Sequence, residues 1–568
     1  MESAAVRVTH GRPIATPQSD LSDETKAVLA AIPSWWRSRA EHAGLADEWL
    51  DVAHALSVQL PSDVGAAGPS EAIGSGTSAQ ALGQAYVESL SPKSRSENGR
   101  HYTPALLSER LWAMARDALG WGVDAVSLPG LVRDPACGAG SLLLPVIREH
   151  LLANEQTEPA IVLSGLAARI QGVDLDEHAV YVANVILGAE ALPLLARVPA
   201  SLRRPIPQLA IVGDGLVERE PALVTVVNPP YGRMKLSDGD RARFSDVLYG
   251  HANLYGLFMA AGAENLADRG VLAALVPTSF TSGLYFHKLR GYLAANASLD
   301  SVTFVEDRSG VFAGVLQETC LAVFSRRRNR KVEVSRANGT IVSVATVPVP
   351  KGGGPWLIPR EAADAATAAA AAKMPLTLKA AGWHASTGPL VWNRRKHDLH
   401  SRPSSNRTRV LWAADFEDGV IGQNQNRNSL RYLTTVGTPD EKTMVLTGEA
   451  VLVQRTTAPE QTRRLVATDL SPDILAKLSG RVVIENHVNV LRPTIDAPLL
   501  DRATLARVLQ TKAMDRLIRC ISGSVAVSSY ELGSLPLPAV DVLASWKNLT
   551  GHALEVAVAA AYKPATAS

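Results

Sequence analysis

The sequence predicts an α/β fold built on a doubly wound, largely parallel sheet and followed by a second domain. Between residues 101 and 328, short apolar runs alternate with segments of helical length, as in successive βαβ units. Acidic, glycine and asparagine residues directly follow several of these runs, and open sheets bind ligands at the carboxyl ends of their strands. At 568 residues, the chain is also too long for one ordinary core. The predicted strands are residues 131–134, 170–174, 208–213, 223–228, 270–276, 301–305 and 318–324.

Three regions are expected along the chain. Residues 1–95 form an N-terminal helical extension with a helix-like stretch at 23–60, and no chemistry is assigned to it. Residues 96–335 form the domain that carries the sheet and its site. An alanine-rich segment at 362–372, which is either a helix or a linker, precedes a second domain over residues 376–568.

The composition excludes several classes of protein. With 46% hydrophobic and 20% charged residues, the chain has the composition of a globular protein rather than a disordered or fibrous one. A membrane-spanning helix needs about 18 consecutive apolar residues, whereas apolar runs such as 270–277 have the length of strands. Residues 1–16 lack the central apolar block of a signal peptide. We therefore expect a cytoplasmic protein that does not contact a membrane.

The cysteines give no sign of a disulfide framework or a zinc site. Cys137, Cys320 and Cys520 lie far apart and form no CxxC pair. They are interpreted as small buried apolar residues. We find no other cluster of ligands that suggests a metal.

The charge is unevenly distributed along the chain. From Met374 onward, about 23 Lys and Arg residues stand against about 17 Asp and Glu, which leaves about 34 (57 − 23) against 38 (55 − 17) for the rest. The C-terminal third is therefore mildly basic, as expected of a domain that reads nucleic acid.

A glycine-rich loop, Asp-Pro-Ala-Cys-Gly-Ala-Gly over residues 134–140, follows the first predicted strand. Gly138 and Gly140 allow a tight turn and a close approach of the backbone to a ligand whose polar groups meet the loop N–H groups. The third glycine of a dinucleotide-binding fingerprint is absent. The preceding acid, Asp134, points instead to a nucleoside amino acid such as S-adenosylmethionine.

Two further acids follow the next two predicted strands. Asp174 stands where a carboxylate can accept hydrogen bonds from both ribose hydroxyls, and Asp214 stands where a side chain can accept one from an adenine amino group. Taken alone, each acid is more often a turn or helix-cap residue. Asp174 lies 40 residues after Asp134, about twice the spacing of a compact unit, and an insertion near residues 152–166 accounts for the difference.

The segment Asn228-Pro229-Pro230-Tyr231 follows the strand at 223–228. Its prolines stiffen the loop and leave carbonyls that only accept hydrogen bonds. An exocyclic amine on an aromatic ring is a poor nucleophile because its lone pair is delocalised. If the Asn228 side-chain oxygen and the Pro229 carbonyl each accept one N–H, the nitrogen lone pair is freed to attack a sulfonium methyl. Tyr231 is expected to stack on the aromatic base that carries this amine.

In order and content, these motifs resemble those of the gamma-class N6-adenine DNA methyltransferases of type II restriction–modification systems. The matching segments are His101-Tyr102-Thr103-Pro104, the 134–140 loop, Asp174, Asp214 and residues 228–231. The resemblance is clear over residues 100–330 and looser over 376–540. It implies a Rossmann-like methyltransferase sheet with a C-terminal mixed α/β target-recognition domain, and S-adenosylmethionine as cofactor.

The resemblance also implies roles for single residues. The methionine part of the cofactor is expected to contact Thr103, Asp134, Ala136, Gly138 and Gly140. Asp174 would be the ribose acid and Asp214 the adenine acid, with Asn228 to Tyr231 as the catalytic loop. Phe312 sits where the family has a second aromatic that closes over the extruded base, and a core position is the alternative for it.

The C-terminal region resembles a target-recognition domain. Its candidate DNA-binding residues are Gln454, Arg455, Arg463 and Arg464, because these side chains are suited to phosphates and base edges. Solvated surface charge is the alternative for any one of the arginines. The implied partners are double-stranded DNA and a cognate restriction endonuclease, and the enzyme is expected to act as a monomer.

Other functions stay open at this point. The same loop serves enzymes that methylate RNA bases or a protein glutamine, although these generally lack so large a C-terminal domain. Cytosine-N4 methylation more often accompanies Ser-Pro-Pro-Tyr, so Asn228 favours adenine. A non-catalytic DNA-binding specificity protein is opposed by the intact Asn228, Tyr231, Asp174 and Gly138. A fused nuclease is not expected, because the acids in residues 439–442 lack the separation that a metal-dependent nuclease needs.

Overall fold

The computed structural model divides into two compact units. The first holds the described residues up to Pro277 together with Gly291–Val332 and Ala337–Gly339, and the second holds Thr278–Arg290, Glu333–Arg336 and the described residues from Thr340 onward. The structure describes residues 21–61, 64, 73–92, 94–95, 102–122, 124–305, 318–327, 329–417, 420–422, 429–457, 462–523 and 526–563.

The first unit alternates helices and strands. Its helices are α1 Asp23–His42, α2 Val52–Leu56, α3 Ala79–Ser89, α4 Ala105–Leu119, α5 Leu144–Ala153, α6 Pro159–Arg169, α7 Glu177–Ala196, α8 Asp238–Arg243 and α9 Leu254–Glu264, and the unit boundary crosses α10 His287–Asn296. Its strands are β1 Val132–Asp134, β2 Ile170–Asp174, β3 Ala210–Val212, β4 Ala222–Val227, β5 Arg233–Met234, β6 Ala252–Asn253, β7 Leu266–Pro277, β8 Ser298–Val305 and β9 Thr319–Ser325.

The strands of the nine-stranded main sheet that lie wholly in this unit have the order β8-β9-β7-β4-β1-β2-β3. Strands β3, β2, β1, β4 and β7 are parallel, whereas β9 pairs antiparallel with both β7 and β8. The predicted α/β class and each of the predicted strands are confirmed. Strand order reverses at β1, with β2 on one side and β4 on the other, which is the point where such sheets bind ligands.

Helix α7 forms much of the core of the first unit. It is twenty residues long and is the one helix, among the described residues, that is long and apolar enough to cross a membrane; 83% of its apolar window is buried inside the protein. Its apolar run is interrupted in the sequence by Asn184 and Glu190. Its packing against α1, α3 and α6 is that of a core helix.

Helix α6 explains the wide spacing between Asp134 and Asp174. It occupies residues 159–169 between α5 and β2, close to the insertion expected at 152–166. The N-terminal helices α1 and α3 pack on α7, so the helical extension belongs to the core of the first unit.

The second unit is a mixed α/β structure. Its helices are α11 Ala365–Ala371, α12 Gly437–Met444, α13 Pro472–Lys477, α14 Arg502–Leu509, α15 Lys512–Ile521, α16 Ser529–Gly533, α17 Val540–Ser545 and α18 Gly551–Ala561. The strands after β9 are β10 Lys331–Asn338, β11 Thr340–Pro348, β12 Leu376–Thr377, β13 Trp383–Thr387, β14 Leu399–His400, β15 Arg407–Leu411, β16 Phe416–Glu417, β17 Val420–Ile421, β18 Tyr432–Thr434, β19 Val445–Leu446, β20 Ala450–Gln454, β21 Ala467–Leu470, β22 Val482–Ile484, β23 Val488–Pro493 and β24 Pro536–Leu537.

Two sheets organise the second unit. One has the order β13-β23-β20-β21 and the other the order β14-β18-β15-β22-β19. An apolar cluster that includes Leu411, Ile484 and Leu452 joins residues of both sheets. Helices α14, α15 and α18 contribute to a separate, larger cluster with strands of the first of these sheets.

Candidate active site

The 134–140 loop turns sharply at the carboxyl end of β1. Gly138 has φ +49° and Gly140 has φ +82°, a region that favours glycine. A Cβ placed on Gly138 would meet nothing within 4 Å, whereas one on Gly140 would lie 3.3 Å from Cβ of Ala183 in α7. Gly140 thus lets the loop pack closely on a helix, while the loop at Gly138 faces open space.

Asp134 begins this loop in a buried position, with 1% of its surface exposed. Its Oδ1 accepts a hydrogen bond of 3.0 Å from the Ala136 N–H. Burial, with a smaller contribution from the nearby charge of Asp174, raises the pKa of Asp134 to about 8. Among the residues that the structure describes, no cation lowers this pKa, and a cationic ligand group near the carboxyl would favour its ionised form.

Asp174 ties the end of β2 to the glycine loop. Its Oδ2 accepts the Gly138 N–H at 2.8 Å, and its Oδ1 accepts the Asp176 N–H at 3.0 Å. The adjacent Cys137 N–H donates to the Val173 carbonyl at 3.0 Å. The acid expected to contact ribose and the loop expected to contact methionine therefore form one hydrogen-bonded structure.

The N-terminal helices form hydrogen bonds that hold this structure in place, a role that the sequence did not indicate. The buried Tyr86 of α3 donates from its hydroxyl to Oδ2 of Asp176, 3.0 Å away. Asp176 caps the N-terminus of α7 by accepting the His178 N–H. Tyr102 donates to the Gln80 carbonyl of α3 at 2.8 Å, which fixes the segment that carries Thr103.

Asp214 lies just beyond β3, on a turn closed by the Leu216 N–H donating to its Oδ1 at 2.9 Å. A Cβ on Gly215 would come within 1.7 Å of the Pro135 carbonyl oxygen. The turn after β3 is thus packed directly against the loop after β1.

The predicted catalytic loop follows β4. Asn228 is half-buried, and its Nδ2 donates to the Oγ1 of the buried Thr103 at 2.9 Å. The Tyr231 hydroxyl lies 3.1 Å from Asn228 Oδ1 and 3.2 Å from the Leu275 carbonyl oxygen, and its one proton serves these two acceptors. Burial raises the pKa of Tyr231 and keeps the phenol neutral. The amide of Asn228 is therefore held with its oxygen on the side of Tyr231.

The Tyr231 ring is positioned by Tyr255 of α9, which it meets edge to face with ring centroids 6.2 Å apart. Pro229 is buried and Pro230 is half-buried. Burial among Asp134 and Asp174 raises the pKa of the Cys137 thiol, so this cysteine is a neutral packing group rather than a nucleophile. Cys137, Cys320 and Cys520 are all buried free thiols, as predicted.

The strand order places these groups along one edge of the sheet. Asn228, Asp134, Asp174 and Asp214 follow the neighbouring strands β4, β1, β2 and β3. Neighbouring strands lie roughly 4.8 Å apart, so the row is roughly 14 Å long. This length suits an elongated ligand that lies across the strand ends.

The remaining predicted residues are placed differently. Phe312 lies outside the described residues. Gln454 is buried, and its Nε2 donates to the Ala413 carbonyl at 2.7 Å, so that contact with a base edge would first require this hydrogen bond to break.

The three candidate arginines are half-buried and bonded within the second unit. Arg455 donates to the Asn486 carbonyl at 3.3 Å, Arg463 donates to the Gln510 carbonyl, and Arg464 donates to Thr457 Oγ1 at 2.9 Å. These bonds give the three side chains a local structural role in this unit.

Comparison with known proteins identifies relatives of this architecture. Residues 224–312 match the family model described as Eco57I restriction-modification methylase. The chain is similar to Type II restriction–modification methylases. M.PstI of Providencia stuartii is 26% identical over 329 residues, covering 55% of this chain and 64% of that protein. M.BsuBI of Bacillus subtilis is 25% identical over 341 residues, covering 56% and 66%. The chain thus matches slightly less than two thirds of the length of these methylases.

Solved structures include similar chains at low identity. The Type IIL restriction–modification enzyme MmeI, solved in complex with DNA, has a TM-score of 0.48 and 15% identity, and the match covers 86% of this chain and 78% of that one. The type IIG restriction endonuclease BpuSI has a TM-score of 0.44 and 13% identity, and the match covers 96% of this chain and 77% of that one.

Proposed function

We propose that this protein is an S-adenosylmethionine-dependent DNA methyltransferase that methylates the N6 of adenine in a short duplex sequence and so protects DNA from a cognate restriction endonuclease. The observation that carries the proposal is the arrangement of Asn228, whose amide is oriented by Thr103 and Tyr231 at the carboxyl end of β4. The loop after β1, the adjacent strand, lies beside it. The similarity to Type II methyltransferases supports DNA as the substrate.

The residues along the strand ends fit S-adenosylmethionine. Open space over Gly138 leaves room for a ligand against the loop, and the buried carboxyl of Asp134 suits a ligand with cationic ammonium and sulfonium groups. Asp174 would hold the ribose and Asp214 the adenine amino group, with Thr103, Ala136 and Gly140 shaping the methionine end. When bound, the cofactor supplies an electrophilic methyl group.

In this proposal the catalytic loop activates the target amine by position and polarity. Asn228 Oδ1 and the Pro229 carbonyl accept the two N–H groups, which localises the nitrogen lone pair for in-line attack. Thr103 keeps the amide of Asn228 from rotating. The stiff Pro229-Pro230 pair fixes the acceptors, and Tyr231 supplies an aromatic wall against the base.

A base within a duplex cannot reach this loop, so the adenine must rotate out of the helix. Phe312 is proposed as the second aromatic that covers the extruded base. The second unit is proposed to read the sequence and to offset the cost of unstacking. The enzyme is proposed to act in the cytoplasm as a monomer.

The test is transfer of labelled methyl from S-adenosylmethionine to mixed-sequence duplex DNA, followed by digestion to nucleosides. We expect label in N6-methyladenine and a loss of about 10²–10³ in kcat for Asn228→Ala, the usual cost of removing one preorganised hydrogen-bonding group that acts in the transition state. Label in N4-methylcytosine would correct the target base. No label in DNA, with label in RNA or protein glutamine when these are supplied as acceptors instead, or DNA binding without transfer, would overturn the proposal in favour of those alternatives.

A further inference from the structure

We propose that a basic sheet face of the second unit binds the sugar–phosphate backbone of duplex DNA. The face consists of His400, Arg402, Arg407, Arg409, Tyr432 and Thr434 and is called the basic face below. The inference rests on the proposed function for its choice of DNA. It goes further by naming a surface that includes none of the DNA-binding candidates found in the sequence.

Strand pairing puts all of these side chains except Arg402, which lies between β14 and β15, on one side of the sheet β14-β18-β15-β22-β19. His400 and Arg409 both stand opposite Tyr432, and Arg407 stands opposite Thr434. Directly paired residues project to the same side of a sheet, and the next residue in each strand projects to the other. The alternating residues on the opposite side are buried; they are Leu399, Thr408 and Leu433.

Among the described residues, no acidic side chain forms an ion pair with the arginines of the basic face. Residues 394–409 contain six Lys and Arg and a single Asp, Asp398. That acid pairs with Arg395, which also binds Asp440. Within the part of the chain that the structure describes, Arg402, Arg407 and Arg409 form no ion pair. A surface with this excess of positive charge attracts an anionic partner.

The arginines are held in place by neutral neighbours. The Arg409 guanidinium carbon lies 5.5 Å from the centroid of the Tyr432 ring, and Arg407 donates to the Arg402 carbonyl at 3.1 Å. The Nε atoms of Arg407 and Arg409 are buried without a hydrogen-bond partner among the described residues. A guanidinium stacked on a ring keeps its planar edge available for the paired oxygens of a phosphate.

The spacing of Arg407 and Arg409 favours a polyanion with regularly spaced phosphates over a single small anion. Arg407 and Arg409 are two residues apart on β15, so their side chains start roughly 7 Å apart on the same side. Two guanidinium groups at this distance can each contact a different phosphate of one strand. His400, hydrogen-bonded to Thr434 at 2.9 Å, continues the polar surface onto the neighbouring strands.

The experiment measures affinity for a fluorescent mixed-sequence duplex by anisotropy, between 50 and 250 mM NaCl. It compares the full-length wild type with Arg407→Gln/Arg409→Gln. The matched control, Arg492→Gln/Lys477→Gln, removes the same charge from exposed positions elsewhere in the second unit. Arg402→Gln, at an exposed position, serves as a second variant if the double variant does not fold.

We expect Kd at 100 mM NaCl to rise at least tenfold in the double variant, on every sequence tested. The slope of log K against log salt should fall by about 2, since each lost phosphate contact is worth about 0.9; Arg402→Gln should lower it by about 1. A slope equal to that of the wild type, an equal loss in the control, or tighter binding of a matched RNA duplex would overturn the proposal. Methyl transfer to DNA is measured separately, so a wild type that binds DNA through this face without methylating it refutes the proposed function alone.

Discussion

Asp134→Asn is expected to stabilise the first unit at neutral pH. Burial raises the pKa of Asp134 from 3.8 to about 8, while the unfolded chain keeps the ordinary value. As pH rises from about 4 to 8, the unfolded state ionises and the folded state does not, so stability is lost at about 1.4 kcal/mol per pH unit. At pH 7 the accumulated loss is on the order of 4 kcal/mol. An asparagine side chain does not ionise, so the variant avoids this loss of stability, and its amide oxygen still accepts the Ala136 N–H.

The assay is urea unfolding of both proteins at several pH values between 4.5 and 8.5, with Asp246→Asn, an exposed carboxylate of the same unit, as control. The stability advantage of Asp134→Asn should shrink toward pH 4 and level off above about pH 8. S-adenosylmethionine should bind this variant at least tenfold more weakly, because asparagine cannot ionise beside the cationic groups of the ligand as the Asp134 carboxyl can. A stability difference that does not change with pH would refute the reasoning.

Three further predictions concern the surroundings of the site. Gly138→Ala should lower the free energy of unfolding by only about 1 kcal/mol, the penalty for a left-handed residue in open space, and should weaken cofactor binding. Gly215→Ala should lower it by well over 3 kcal/mol or prevent folding, because the added Cβ meets the Pro135 carbonyl. An equal loss of unfolding free energy in the two variants, measured by urea denaturation, would contradict this difference between the two glycines. Tyr86→Phe should raise KM for S-adenosylmethionine about fivefold, the value of one hydrogen bond of about 1 kcal/mol, with kcat unchanged; a fall in kcat alone would oppose a role in cofactor binding. Thr103→Val should lower kcat about fivefold to tenfold by releasing the Asn228 amide, and Thr103→Ser should restore it; failure of that rescue would argue against orientation through the hydroxyl.

The sheet was predictable because its signals are local. Strands β1, β2 and β4 are short segments in which apolar residues lead to a polar residue at or just after the carboxyl end, so their extent and the position of the candidate site follow from the pattern. The acid and glycine positions followed from strand ends for the same reason. The antiparallel pairing of β9 with β7 was not anticipated, since an apolar run does not encode the direction of its partner.

Features that depend on distant contacts were not predictable. Nothing in the sequence spacing joins Tyr86 to Asp176, ninety residues away, or Thr103 to Asn228, 125 residues away. The alternating pattern predicted a segment of helical length between β2 and β3, but it did not indicate that packing buries helix α7 on almost every side. Gln454 was selected for its residue type, and only the fold reveals that its amide is already used by the backbone carbonyls of Ala413 and Phe416.

The Tyr231 hydroxyl has one proton for two acceptors, Asn228 Oδ1 and the Leu275 carbonyl. Without this hydroxyl, the Asn228 oxygen would lack one of its hydrogen-bond donors. By rotating about its C–O bond, the phenol can cover the Asn228 oxygen between turnovers and turn to Leu275 when an amine arrives. In the proposed reaction, the incoming base would replace this hydrogen bond with one of its own. Tyr231 would then donate to Asn228 Oδ1 only between turnovers, so that it orients this oxygen without preventing the substrate amine from binding to it.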